Sequence, residues 1–308
     1  MNLKLELLKK AADQDRFSKT PNTSQEACYQ IIEPDSNKVW GFVSIDNTQR
    51  GPGLGGIRLV QDLSLNEISR LARVMTMKNS SACLPYGGAK AGITLESFER
   101  TDNPAIRKEL IETLADCLFE LPAYVPAPDM GTNEHDIQVI YNNHTRKLGI
   151  EKHSRGGAGR PVEKGGIPID DWELTAHGLF FAIKALESRD ETLDLSRTKF
   201  IIQGFGNVGA PTARKLQESG ATLVGASDIN IALWNPNGLD VQALDKIRRN
   251  PGGLNNYPFE VNRKFSSDKL DWLLEAPCDV LIPAARPDAI TARNMDRIQC
   301  RYVLQGAN

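Results

Sequence analysis

Apolar residues recur with helical spacing in the first half of the chain. After Ser64, apolar side chains fall on one face as far as Met75, which predicts a helix that ends close to Lys78. The dipole of such a helix favours a cation at that position. Leucines at positions 3, 7 and 8, set among charged residues, predict a short amphipathic helix at the N-terminus. β-Branched and aromatic residues predict a strand at 39–45.

A second apolar stripe begins at Pro104, a residue that suits the first turn of a helix, and Pro122 ends it. A short strand at 124–127 then leads into Asp129, in the sequence Pro-Asp-Met-Gly. This is a common position for a catalytic carboxylate and an equally common one for an aspartate that stabilises a turn, so both interpretations stay open here. A further helix closes at Gly149.

Short apolar runs alternate with helical patterns in the second half of the chain. This alternation predicts a parallel sheet that helices cover on both faces. The predicted strands are residues 199–203, 221–226, 280–283 and 301–305. The predicted helices are residues 172–186, a segment that ends at Gly220, and residues 238–249.

A glycine-rich turn connects the first two of these strands. The strand at 199–203 leads directly into Gly-Phe-Gly-Asn-Val-Gly, which opens a helix, and an acid follows the next strand about 20 residues after the glycines. The first glycine permits a tight turn, the second lets a pyrophosphate reach the backbone, and the third lets helix and strand approach each other. The acid, Asp228, can accept hydrogen bonds from the ribose hydroxyls and would repel a 2′-phosphate, which favours NAD over NADP. The predicted cofactor-binding residues of this region are Gly204, Gly206, Asn207, Val208, Gly209 and Asp228.

Two lysines flank a Pro-Tyr-Gly-Gly turn in the stretch 75–93. Lys78 follows the apolar helix, and Lys90 lies among glycines and alanines that leave room for a ligand. If both ammonium groups face one cleft, they form a carboxylate site beside an amine whose pKa is lowered by repulsion. Two surface lysines near a turn are the alternative. The glycine-rich run 51–56 predicts a loop whose backbone can come close to a neighbour.

Length and composition indicate a globular protein with two domains. The chain has 308 residues and a mass of 34.0 kDa, more than one ordinary hydrophobic core accommodates. Residues 152–166 are rich in glycine and basic side chains, so we expect a boundary there, with domains at 1–150 and 151–308. No apolar run approaches membrane-spanning length, and a net charge of −2 with a pI of about 6.1 argues against a nucleic-acid-binding surface.

The positions of cysteine and histidine argue against disulfide bonds and against a metal site. The five cysteines are odd in number, widely spaced and without a C-x-x-C pair, which is typical of reduced thiols in the cytoplasm. The four histidines show no H-E-x-x-H or comparable ligand spacing, so no metal is expected.

Several motifs are specific enough to indicate a family. Between Ile45 and Asn308 the sequence resembles the glutamate/leucine/phenylalanine/valine dehydrogenase family. The motifs that carry this resemblance are Gly-Pro-Gly-Leu-Gly-Gly-Ile-Arg, Met-Thr-Met-Lys-Asn, Pro-Tyr-Gly-Gly-Ala-Lys-Ala-Gly, Ala-Pro-Asp-Met-Gly-Thr-Asn, the dinucleotide turn, Ser-Asp-Ile-Asn, Asn-Pro-Asn-Gly-Leu-Asp and Gln-Gly-Ala-Asn.

The resemblance implies a fold, a reaction and roles for individual residues. It implies an α/β substrate domain with a mixed sheet, which also forms the homo-oligomer, followed by a Rossmann-like, doubly wound NAD-binding domain. The implied reaction is the reversible oxidative deamination of an L-amino acid to a 2-oxo acid and ammonia. Lys78 would bind the substrate α-carboxylate, Lys90 would be the catalytic amine and Asp129 the proton-transfer carboxylate. Thr175 would lie near the nicotinamide and Asn308 near its ribose.

One departure from the family pattern bears on the substrate. The glutamate enzymes have a lysine for the distal carboxylate of the substrate in Gly-Pro-x-Lys-Gly-Gly, and this chain has Leu54 there, followed by Gly55 and Gly56. Because a distal carboxylate would lose its ionic partner, we expect a substrate with an apolar side chain.

Two further departures keep a second function open. Asp170 and Asp171 stand where the family pattern Gly-Gly-Ser-x-Gly-Arg has an arginine. The sequence also ends at Asn308, whereas family members continue into helices that return to the first domain, so we expect either a fragment or a shortened relative. These departures favour an NAD-binding relative with a regulatory or assembly role, while the two lysines and the aspartate favour catalysis. A dehydrogenase acting on hydroxy acids is a third interpretation, but the usual histidine and arginine pair has no clear counterpart.

Overall fold

A computed structural model divides the chain into two compact units, Met1–Pro168 and Ile169–Asn308. The residues that the structure describes are 2–10, 25–95, 103–150 and 157–307. The end of the glycine-rich segment packs onto the first unit, because the N–H of Ala158 donates to the carbonyl of Pro126 over 2.8 Å.

The first unit is built on a six-stranded mixed sheet with the order β1-β2-β3-β5-β4-β6. Its strands are β1 Lys4–Lys10, β2 Ala27–Glu33, β3 Lys38–Asn47, β4 Gly53–Val60, β5 Gly87–Thr94 and β6 Tyr124–Pro128. Neighbours are antiparallel from β1 to β5, whereas β4 runs parallel to both β5 and β6. The mixed sheet confirms the fold expected from the resemblance.

Three α-helices of the described residues accompany this sheet, and each begins with a side-chain cap. They are α1 Leu65–Ser81, α2 Pro104–Phe119 and α3 Glu134–Leu148, capped by Ser64, Asn103 and Asn133. Such caps satisfy backbone N–H groups that the helix itself leaves without a partner. The core contains Ile57, Ile93, Leu114 and Ile137, all of which are fully buried.

Two expectations for the first unit are wrong. Leu7 and Leu8 lie on a strand, β1, which pairs antiparallel with β2, rather than on a helix, and Leu3 directly precedes that strand. The run 51–56 is not a loop throughout, because β4 begins at Gly53 and lies between two other strands. Its glycines allow close packing: a Cβ on Gly55 would lie 1.6 Å from the carbonyl oxygen of Ala89.

The second unit has its own six-stranded sheet, with the order β10-β9-β8-β7-β11-β12. Its strands are β7 Lys199–Gln203, β8 Thr222–Ser227, β9 Ile231–Trp234, β10 Arg263–Ser266, β11 Val280–Pro283 and β12 Tyr302–Val303. Its α-helices include α4 Leu174–Glu187, α5 Gly209–Glu218 and α6 Val241–Ile247. Phe200, Ile202, Leu223 and Val280 lie in its core.

The four strands predicted from the sequence form a parallel sheet as expected, and two strands that were not predicted extend it. β8, β7, β11 and β12 are parallel, whereas β9 and β10 pair antiparallel with their neighbours. Only residues 228–230 separate β8 from β9, and a parallel crossover needs a dozen or more residues.

Within the parts of the chain that the structure describes, no helix has both the length and the apolar character needed to cross a bilayer.

Candidate active site

Lys90 and Asp129 form an ion pair in the first unit. Lys90 lies on β5 with its side chain only 1% exposed, and its Nζ is 2.9 Å from Oδ1 of Asp129, which follows β6 directly. β4 runs between these two strands, and Gly56 on β4 leaves the space that the aspartate occupies. A Cβ on Gly56 would lie 2.6 Å from the Cβ of Asp129. The glycine therefore lets the carboxylate reach across one strand to the lysine on the next.

Arg58 holds the other oxygen of the same carboxylate. Two positions after Gly56 on β4, its Nε is 2.7 Å from Oδ2 of Asp129. Its NH1 lies 2.6 Å from Oε1 of Glu67, in the first turn of α1. Arg58 stood in a quoted motif, but the sequence interpretation gave it no role. Residues two positions apart on a strand lie on the same face, so the position of Arg58 two residues after Gly56 could have indicated it.

The environment shifts the pKa values of both members of the ion pair. Burial lowers the pKa of Lys90, the carboxylate of Asp129 opposes this, and the charges of Arg58 and Lys78 lower it further. Burial by itself would raise the pKa of Asp129, but the charges of Lys90 and Arg58 outweigh it and the pKa is lowered. Asp129 is therefore a carboxylate at neutral pH, and Lys90 gives up its proton more readily than an exposed lysine.

Lys78 is exposed in the last turn of α1. Its position near Lys90 follows from the packing of α1 against the start of β5. Asn79, which is buried beside it, donates from Nδ2 to the carbonyl of Gly87 over 2.6 Å. The charge of Lys78 contributes to the lowered pKa of Lys90, although burial is the larger cause.

Leu54, Gly55 and Gly56 are consecutive residues of β4, and Leu54 is partly exposed. The hydroxyl of Tyr124 donates to the carbonyl of Gly55 over 2.9 Å. Burial, with a smaller contribution from the charge of Asp129, raises the pKa of Tyr124 well above its usual value. Tyr124 is thus a fixed, protonated donor close to the ion pair, and the sequence interpretation did not include it.

The glycines of the second unit form a tight turn between β7 and α5. Gly204 adopts a φ of +91°, and the N–H groups of Gly204 and Phe205 donate to the carbonyl of Ser227. A Cβ on Gly209 would lie 2.1 Å from the carbonyl oxygen of Gly204, whereas a Cβ on Gly206 would meet open space. Helix and strand thus approach each other at Gly209, and the backbone is accessible at Gly206.

The helices of the second unit differ in how they begin. The side chain of Asp240 caps α6, but α4 and α5 have no hydrogen bond from a capping side chain. Val208 precedes α5, and Thr175 lies in the first turn of α4. An N-terminus without a side-chain cap can offer its N–H groups to an anion.

Asp228 follows β8, and its carboxylate binds backbone amides. Oδ1 accepts from the N–H groups of Asn230 and Ile231, and Oδ2 accepts from that of Leu254 over 2.8 Å. Each carboxylate oxygen has two lone pairs, so these bonds leave acceptor capacity for a ribose hydroxyl. Asn207 accepts from NH1 of Arg248, a third residue that the sequence interpretation missed.

Two of the remaining expectations concern Asn308 and metals. Asn308 lies outside the described residues. Among the described residues, no group of three or more histidine, cysteine, aspartate or glutamate side chains is arranged to hold a metal ion.

Family models match most of the chain. The model of the glutamate/leucine/phenylalanine/valine dehydrogenases matches residues 165–308, and the model of their dimerisation domain matches residues 28–146. The chain belongs to this dehydrogenase family. The match of the dimerisation domain falls on the first unit, and the other match covers the second unit with its glycine turn.

The relatives of this dehydrogenase-family chain include glutamate dehydrogenases. It is 32% identical over 271 residues to an NADP-specific glutamate dehydrogenase of Saccharolobus shibatae and 31% identical over 273 residues to a glutamate dehydrogenase of Aeropyrum pernix. Each alignment covers 87% of this chain and 62% of the relative, so the chain spans less than two thirds of their length. The hetero-hexameric glutamate dehydrogenase of Thermus thermophilus, with leucine bound, superposes with a TM-score of 0.70. That match has 26% identity and covers 89% of this chain and 65% of the other.

Proposed function

We propose that the protein is a nicotinamide-dependent amino-acid dehydrogenase that interconverts an L-amino acid with a 2-oxo acid and ammonia. The observation that carries this proposal is the buried Lys90–Asp129 ion pair, with Lys78 close enough to influence the pKa of Lys90. It supplies a carboxylate and a lysine with a lowered pKa side by side, which proton transfer at an amino group requires. Membership of the dehydrogenase family supports the same reaction class.

In the proposed mechanism each residue has a separate task. The ammonium of Lys78 binds the α-carboxylate of the substrate. Asp129 takes a proton from the substrate amine. A nicotinamide dinucleotide, when bound, would accept the hydride that leaves the substrate Cα. Lys90 in its unprotonated form activates the water that attacks the imine so produced. Because Lys90 is almost completely buried, bulk water does not compete with these proton transfers.

The proposed binding residues for the dinucleotide are those of the glycine turn and the two uncapped helices. The accessible backbone at Gly206 and the free start of α5 suit a pyrophosphate, and Thr175 at the start of α4 suits the nicotinamide. We propose Asn308 near the nicotinamide ribose on the resemblance alone.

We propose NAD rather than NADP on the negative charge of Asp228, although one relative is NADP-specific. The test is calorimetric titration of NADH and NADPH into the wild-type protein and Asp228→Asn, a substitution that keeps the shape and one acceptor oxygen. The wild type should prefer NADH, and the variant should bind NADPH more tightly relative to NADH. A wild-type preference for NADPH would reverse the proposal.

We propose that the substrate has an apolar side chain. Leu54, beside Gly55 and Gly56 on β4, cannot form an ion pair with a distal carboxylate. A panel of 2-oxo acids with ammonia, followed by NADH absorbance, tests it directly. Branched or aromatic 2-oxo acids should react faster than 2-oxoglutarate, and Leu54→Lys should shift the ratio toward 2-oxoglutarate. The opposite order in the wild type would contradict the assignment.

The catalytic roles are tested by two substitutions. Lys90→Ala and Asp129→Asn should each lower turnover by at least about a hundredfold while NADH still binds, because general acid–base groups contribute factors of that size. Lys108→Ala, at an exposed lysine of α2, is the matched control and should retain activity. Full activity in either active-site variant would remove that residue from the mechanism.

A non-catalytic relative that binds NAD is the second candidate. Asp170 and Asp171, which stand where the family pattern has an arginine, favour it. This candidate predicts tight NADH binding without turnover of any 2-oxo acid in the panel. We also propose a homo-oligomer, since the first unit matches a dimerisation domain, and a cytoplasmic location, which the five free cysteines support.

A further inference from the structure

The proposed mechanism gives no chemical step to Arg58, which is bonded directly to Asp129. Its side chain is only 5% exposed, and its guanidinium pairs with two carboxylates, those of Asp129 and Glu67. Removing a guanidinium from water to this extent is costly unless its partners are well placed. The partners come from different elements, since Asp129 follows β6 and Glu67 belongs to α1.

We propose that Arg58 is the positioning residue for Asp129, and that Glu67 in turn holds Arg58. In this arrangement Arg58 binds Oδ2, so that Oδ1 faces Lys90, 2.9 Å away. The inference deepens the proposed function and rests on it for the catalytic meaning of Asp129, but the arrangement itself can be tested without turnover.

The shape of arginine suits this task. The guanidinium is planar and rigid, so its Nε and NH1 groups meet the two carboxylates in a fixed geometry. A lysine would offer a point charge that can reach one of them at a time. The loop after β6 supports the same geometry, because the hydroxyl of Thr132 accepts from the N–H of Asp129 over 2.8 Å and donates to the carbonyl of Ile57 over 2.7 Å.

Arg58 also supplies a charge that stays in place when Lys90 changes state. Lys90 has to be unprotonated before it can activate water, and in that state Asp129 lacks the positive charge of one partner. Arg58 remains cationic, because a guanidinium does not deprotonate in proteins, and it keeps Asp129 ionised through that step. Arg58 therefore keeps the carboxylate charged and able to accept the amine proton while Lys90 is neutral.

Other ionisable groups lie around the Lys90–Asp129 pair, and they differ in their contacts with it. Arg58 on β4 and Lys78 on α1 lower the pKa of Lys90, whereas Tyr124 on β6 is a protonated phenol near Asp129. Asp46 on β3 accepts from the hydroxyl of Thr76 over 2.6 Å instead. Of the groups named here, Arg58 and Lys90 are the two that pair directly with Asp129.

The test follows the titration of Lys90 in full-length protein labelled with ¹⁵N-lysine, with the Nζ signal assigned by its loss in Lys90→Arg. Arg58→Met removes a positive charge and should raise the apparent pKa of Lys90. Glu67→Gln removes the negative charge that balances Arg58 and should lower it. Arg58→Lys should restore the charge effect but not the geometry. pKa shifts of opposite sign in Arg58→Met and Glu67→Gln distinguish an electrostatic role from a loss of packing. If Arg58→Met does not fold, the shift in Glu67→Gln still tests the arrangement.

Kinetics and crystallography complete the test. In Arg58→Met the Asp129 carboxylate should stay paired with Lys90 but lose its fixed orientation, and kcat/KM should fall at least about tenfold at neutral pH with NADH binding unchanged. Arg58→Lys should recover only part of that loss. Unchanged titration of Lys90 in both variants, or shifts of the same sign, would overturn the inference. If the shifts appear as expected but the wild type turns over no 2-oxo acid, the positioning role stands and the proposed function fails.

Discussion

Each unit contains a row of four alternating charges, and the two rows differ in their exposure to water. The first charge row consists of Lys90, Asp129, Arg58 and Glu67. The second charge row consists of Glu173, Arg214, Asp245 and Arg248. In the first row the side chains of Lys90 and Arg58 are 1% and 5% exposed, whereas Arg214 and Asp245 in the second are 30% and 26% exposed.

The difference in exposure indicates different purposes. Buried charges are expensive to remove from water, and a fold that needed only stability could place apolar side chains at such positions. The second row connects helices instead: Glu173 precedes α4, Arg214 lies on α5 and Asp245 on α6. Water screens its charges and weakens each pair. Burial is therefore the property that marks the first row as the site of the proposed chemistry.

The largest expected effect comes from removing one aspartate from each row. Asp129→Ala leaves Arg58 buried without one of its two carboxylate partners and should destabilise the first unit by about 3–5 kcal/mol. Lys90 can reduce the loss by releasing its proton, but Arg58 cannot. The matched change Asp245→Ala should cost the second unit no more than about 1 kcal/mol. Hydrogen exchange of peptides from each unit measures both losses separately. Equal losses would show that burial does not distinguish the two rows.

The second effect is a dependence on alkaline pH that is confined to the first row. The pKa of Lys90 is lowered in the folded chain, mainly by burial, whereas an unfolded lysine titrates near about 10.4. Between these values the unfolded chain binds more protons, so the free energy of unfolding of the first unit rises with pH. For Asp245, burial would raise the pKa but its arginine partners lower it, so its contribution is lost only as the pH falls into the acid range.

Urea unfolding between about pH 7 and about pH 9.5, with pulse-labelling of each unit by deuterium, measures this dependence. Lys90→Met is the control, because the first unit of that variant should lack the rise. A rise of the same size in the variant would assign the alkaline dependence to another group.

The contrast between the rows also shows what could be predicted from the sequence. Features set by neighbouring residues were predictable: the strand at 280–283 is apolar throughout, and the glycine turn carries its strand and helix beside it. Lys90 and Asp129 are 39 positions apart in sequence, and β4 lies between the strands that bring them together, so local patterns gave each residue a role but could not join them. Only the family resemblance connected the two.

The errors arose where packing overrides local preference. The run 51–56 is so rich in glycine that it indicates a loop, yet the same glycines form part of a central strand because neighbouring backbone and Asp129 lie too close for side chains. Leucines at 3, 7 and 8 fit a helical period, but pairing with β2 makes that segment a strand. Arg58 was missed for a related reason, since its role becomes visible only once β4 is recognised as a strand.

The smallest effect concerns the helix that holds the end of the first row. The hydroxyl of Ser64 accepts from the N–H of Glu67, so Ser64→Ala should cost about 1 kcal/mol and loosen the turn that presents Glu67 to Arg58. Asp240→Ala removes the equivalent cap of α6 and should cost about the same free energy. The first turn of α6 contributes no member of the second row. Urea midpoints should therefore fall similarly in the two variants. The titration of Lys90 should move only in Ser64→Ala, because a looser Glu67 leaves the charge of Arg58 less balanced.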